Sequence, residues 1–125
     1  MIKNIHDYSN KNVCNISYLS DTVGGKKHLI RGIMDVFLSQ VAEELQATAT
    51  AIARTDYLSI KKLTHAMKSS ASIMGISVIK PVLEEMESLG AQATNIDRIK
   101  ALNQVLNLIC MQAILEIERE KLNYV

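Results

Sequence analysis

The segment Leu63-Thr64-His65-Ala66-Met67-Lys68-Ser69-Ser70-Ala71-Ser72 holds the side chains best suited to chemistry in this sequence. Ile60, Leu63, Met67, Ser70 or Ala71, and Met74 recur at helical steps and define one apolar stripe. At about 100° per residue, His65 lies nearly opposite that stripe and is expected to face water. Lys61 and Ser69 share its side of the helix, one turn before and after, with Lys68 three residues on and Ser72 seven on. A neutral imidazole nitrogen is a competent nucleophile near neutral pH. An ammonium at Lys68 could meet phosphoryl oxygens, and the small Ser69 and Ser72 leave room for a second protein's surface. This set suits a phosphoryl carrier; the competing reading is a solvated histidine among ordinary lysines.

A carboxylate belongs beside it. If the chain reverses around Gly75 to Ser77, His65 stands about ten residues before the turn and Glu87 about ten after, at similar heights on neighbouring helices. There Glu87 could accept the proton of one ring nitrogen, fixing the tautomer and leaving the other nitrogen free to attack. Its alternative is a solvated member of the acidic trio Glu84, Glu85 and Glu87.

The elements that must position these residues are helical. Residues 1–15 read as a polar N-terminal lead, and residues 16–123 as one domain. Ile16 to Val23 suits a short helix broken by Gly24-Gly25, and a first long helix runs from Lys26 to about Ala53. The site helix opens at Thr55 or Asp56, and the next runs from a Ser77 cap to Gly90 with Pro81 near its first turn. The last opens at Thr94 or Asn95, with Asp97 in its first turn, and extends to roughly Leu122. Short connections between long amphipathic segments predict an all-α fold, an antiparallel up-down-up-down four-helix bundle with a short extra N-terminal helix.

Composition narrows the function. Fourteen Lys plus Arg against 13 Asp plus Glu leave a net charge of +1, and aromatics are only 4% with no Trp. Neither an electrostatic nucleic-acid interface nor a base-stacking platform is expected. No apolar run approaches the roughly 18 residues of a membrane span, and the polar start lacks a signal-peptide core, so a cytoplasmic location is expected. His6 and His28 lack ligand spacing with His65, so no metal site and no cofactor are expected. Cys110 falls beside the core stripe of the last helix, while Cys14 in the lead is left unassigned; the stretch Glu116, Glu118, Arg119, Glu120 and Lys121 reads as a solvated helix face.

The run from Leu63 to Gly75 resembles the signature of histidine-phosphotransfer (HPt) domains: a His, a Lys three on, small residues after it and a Gly ten on. Tyr18-Leu19, the helix through Phe37, the acidic Leu83-Glu84-Glu85-Met86-Glu87 and the long last helix extend the likeness over roughly residues 16 to 120. The resemblance implies that His65 is phosphorylated, that Lys68 stabilises the phosphoryl group, and that Ser69 admits a receiver domain. It also implies a site role for Glu87, and a turn at Gly75 that lets the site helix pack closely against the next. Ser69 stands where many members have Gly, and the stretch 40–44 lacks the Pro that kinks the first long helix in many of them.

The function expected from residues and resemblance together is a phosphorelay intermediate. His65 accepts a phosphoryl group from a receiver-domain phospho-aspartate and passes it to another receiver domain. The partner is the receiver domain of a response regulator or of a hybrid sensor histidine kinase, with Mg²⁺ on that partner and this chain a monomer. It is a carrier without independent catalytic activity, since neither a Gly-rich nucleotide loop nor a second nucleophile accompanies His65. The rival is a helical adaptor or dimerisation module in which His65 is incidental.

Overall fold

The computed structural model describes residues 12–124. Among them the chain forms five α-helices and no strand: α1 Ile16–Thr22, α2 Lys27–Ala53, α3 Tyr57–Ile73, α4 Lys80–Gln92 and α5 Ile96–Glu120. A 3₁₀ turn, Ser77–Ile79, precedes α4, and another, Lys121–Tyr124, follows α5. Helix α3 packs on α2 and α4, and α5 packs on the same two, so the long helices enclose one core. Met34, Ile60, Met74, Leu83, Met86 and Leu106 are fully buried in it.

Local chemistry explains the boundaries. The Asp56 side chain caps α3 by accepting from the Ser59 N–H at 3.2 Å, and Asn95 caps α5 by accepting from the Arg98 N–H at 3.3 Å. Ser77 is not a cap; it opens the 3₁₀ turn, and α4 begins at Lys80 with Pro81 in its first turn, where a missing N–H costs little. On α3 the core stripe includes Thr64, which is fully buried, while Leu63 is only half-buried. Thr64 pays little for that burial because its hydroxyl donates to the Ile60 carbonyl at 2.7 Å.

Two expectations at the ends of the domain are corrected. Residues 13–15 pack with the bundle: Val13 and Cys14 are buried, and the Asn15 N–H donates to the Met74 carbonyl at 3.1 Å. Residues 1–11 of the expected lead, His6 included, lie outside the described residues. Glu116 is likewise no part of a solvated face. It is buried, and its carboxylate accepts from the Val13 N–H at 2.7 Å and the Cys14 N–H at 2.9 Å. An extended segment has backbone donors without helical partners, and a buried carboxylate satisfies them.

Gly90 does not end its helix, as expected from the sequence, but lies inside α4, which continues to Gln92 and closes at Ala93 in the left-handed region. A Cβ at residue 90 would stand 3.0 Å from both the Lys61 nitrogen and the Tyr57 carbonyl oxygen. Here the backbones of α3 and α4 meet with no side chain between them. These contacts are backbone atoms that cannot rotate away, so Gly90→Val is expected to destabilise the protein by about 1–3 kcal/mol through overpacking. A lowered thermal midpoint by circular dichroism checks this; an unchanged midpoint would show that the helices can separate at no cost.

Candidate functional site

The close approach at Gly90 sets the register of the site. Residue 65 lies one turn beyond Lys61 on α3, and residue 87 nearly one turn before Gly90 on α4, which brings the two side chains face to face. His65 Nδ1 lies 2.7 Å from Glu87 Oε2, and Lys68 Nζ lies 2.7 Å from Glu87 Oε1. One carboxylate thus holds both side chains. His65 remains open to solvent, with 69% of its side chain exposed, against 20% for Glu87 and 29% for Lys68.

This geometry fixes the chemistry of the ring. A carboxylate can only accept, so the hydrogen on His65 belongs on Nδ1, and Nε2 is left with a free lone pair. The Lys68 ammonium, followed by His65, holds the Glu87 carboxyl below the usual carboxylate range, while partial burial opposes them. Because the folded value is lowered, the stabilisation is present above the ordinary carboxylate pKa. It is lost as pH falls through the lowered one.

His65, Lys68, Ser69, Ser72 and Gly75 line one groove beside α4. Lys61 is exposed but does not line it; its backbone instead abuts Gly90. Among the groove residues that sequence reasoning missed are Lys80 and Glu84 from α4, and Asn15 and Tyr18 from the N-terminal segment. Lys80 and Glu84 stand seven and three residues before Glu87, so helical spacing from that carboxylate could have found them. Nothing local in the sequence places Asn15 and Tyr18 there. Gly75 differs from expectation in its contacts: at φ +66° it turns the chain after α3, and its nearest neighbour is Asn15, whose Cβ would lie 2.6 Å from an added Cβ. The close helix packing expected of Gly75 belongs to Gly90.

The sequence matches the Hpt domain family over residues 32–116, a span that contains His65, Lys68 and Glu87. The chain belongs to the Hpt domain family. It is therefore a phosphorelay intermediate, and the adaptor expectation gives way to that role. In fold it is similar to the crystal structure of histidine-containing phosphotransfer protein B from Pseudomonas aeruginosa PAO1. That similarity has a TM-score of 0.78 at 19% identity, covering 90% of this chain and 97% of the other. A search of curated proteins found no match.

Other nucleophiles in this Hpt domain are poorly placed. Burial, followed by the Glu44 carboxylate, pushes the Cys110 thiol up to about 12, and burial and Glu116 likewise raise Cys14. Among the described residues, no three His, Cys, Asp or Glu side chains gather as metal ligands, and no helix is long and apolar enough to cross a membrane. His28 lies against an apolar cleft of α2 with Leu29 and Val36.

The shared carboxylate makes a direct prediction. In Lys68→Met, Glu87 loses the hydrogen bond that lowers its pKa most, so its carboxyl should titrate at higher pH. Carbon-detected NMR titration of the Glu87 side chain reads this. An unchanged midpoint would mean that the ammonium does not sit on Glu87 in solution.

Proposed function

We propose that His65 is the residue that carries the phosphoryl group, received from the phospho-aspartate of one receiver domain and passed to another. Nε2 attacks phosphorus, the bond from phosphorus to the aspartyl oxygen breaks, and the receiver regains its free carboxylate. The imidazole gains positive charge as the N–P bond forms. Glu87, on the Nδ1–H, stabilises that charge. Lys68 faces the opposite sign: its flexible stem lets the ammonium turn from Glu87 to the phosphoryl oxygens once they arrive. The observation that carries this reading is an exposed imidazole whose Nδ1 is engaged by a carboxylate already shared with a lysine.

Ser69 and Ser72 keep the approach to His65 low, and Lys61, exposed one turn before His65 on α3, supplies a further positive charge outside the groove. Gly75 closes the groove without a side chain. The receiver brings the Mg²⁺ that phospho-aspartate chemistry needs, and this chain acts as a carrier without independent catalysis. We also read the four long helices as an up-down-up-down bundle, acting as a monomer in the cytoplasm.

Incubation with a phosphorylated receiver domain should give an acid-labile, base-stable label on this protein, absent from His65→Gln. That variant changes an exposed residue, so its stability should stay within about 0.5 kcal/mol of wild type. Label retained in the variant would remove His65 from the role. Ser69→Arg should slow labelling by the receiver without lowering the thermal midpoint, since the new side chain stands one turn from the imidazole on the exposed side. An unchanged transfer rate would place docking elsewhere.

A further inference from the structure

Glu116 lies about half the chain away in sequence from His65, yet it holds the segment that forms the groove's far wall. At 4% exposure it is a buried acidic side chain. Its two oxygens accept from the backbone of Val13 and Cys14, and Oε2 accepts also from Gln112 Nε2 at 2.9 Å. Residues 13 and 14 are thereby fixed to α5, and the next residue crosses to α3. The Asn15 N–H donates to the Met74 carbonyl, and Asn15 lies against Gly75 at a distance that leaves no room for a Cβ on that glycine.

From there Asn15 starts α1. Its Oδ1 accepts from the Tyr18 N–H at 2.9 Å, while Leu19 is buried completely. Tyr18, 49% exposed, then lines the same groove as His65 and Ser69. A seven-residue helix has little stability of its own, so its place depends on this anchor and on Leu19.

We propose that Glu116 is a positioning residue for receiver docking: by latching residues 13–15 across α5 and the end of α3, it holds Tyr18 as one wall of the His65 groove. The inference rests on the reading of that groove as the receiver's docking surface. It assigns to Glu116 an effect on recognition and none on the reactivity of the ring. The latch is a good one for this purpose because a carboxylate can satisfy several donors at once, while a shorter or apolar side chain leaves two buried N–H groups without partners.

The test compares wild type, Glu116→Gln and Glu116→Ala with two donors: phosphoramidate, a small phosphoryl donor that needs no docking surface, and a phosphorylated receiver domain. If the wall is in place only about a tenth of the time in Glu116→Ala, KM for the receiver rises about tenfold. Phosphoramidate labelling should stay within about twofold of wild type, and Glu116→Gln, which keeps the volume and one acceptor oxygen, should fall between the two. Tyr18→Ala should raise the receiver KM as well, and combining it with Glu116→Gln should add little, because both remove the same wall. An unchanged receiver KM in both Glu116 variants, or fully additive effects with Tyr18→Ala, overturns the proposal, as does equal loss of labelling from both donors. Glu116→Gln, nearly isosteric, decides the matter if Glu116→Ala does not fold. Should neither donor label the wild-type protein, the reading of His65 fails first and the latch with it.

Discussion

The backbone contact at Gly90 is the constraint on which the site depends. With no side chain at that position, α4 settles against the Tyr57 carbonyl and the Lys61 nitrogen of α3, and side chains one turn away must meet. On one helix that side chain is His65 and on the other it is Glu87. A helix pair spaced by ordinary side chains lies about 8–10 Å apart, and a carboxylate would then have to stretch to reach the ring. Direct contact lets the carboxylate bond the imidazole and still offer its second oxygen to Lys68.

The shared carboxylate solves a problem particular to a carrier. A phosphoryl carrier must present a nucleophile to a partner that supplies the rest of the chemistry, so the ring has to be exposed and yet held in one tautomer and orientation. Exposure works against order, since a solvated side chain samples several rotamers. The bond from Nδ1 to a half-buried Glu87 restores that order and leaves the Nε2 lone pair free on an exposed ring. Lys68 is held on the second oxygen of the same carboxylate.

Much of this could be read from residue spacing. The helical period put His65 opposite the core and Lys68 near it, and counting residues from the turn brought Glu87 level with the histidine. Those inferences held because they rest on helix geometry, which is local. What escaped were contacts whose partners carry no signature in the sequence. Gly90 looks like a helix terminator because glycine often is one, and only the neighbouring backbone shows why it is tolerated inside α4. Glu116 sits among charged residues near the end of α5 and resembles its solvated neighbours. Its partners are backbone N–H groups more than 100 residues away, which any residue type could supply.

The central claim is that Nδ1 of His65 is committed to Glu87, so that Nε2 alone takes the phosphoryl group. Phosphorus and nitrogen NMR of the phosphorylated, ¹⁵N-labelled protein tests it directly. The account predicts a single phosphohistidine at residue 65 with phosphorus coupled to Nε2 and a proton-bearing Nδ1 still bonded to the Glu87 carboxylate. Phosphorus on Nδ1, or on any other side chain, would contradict it.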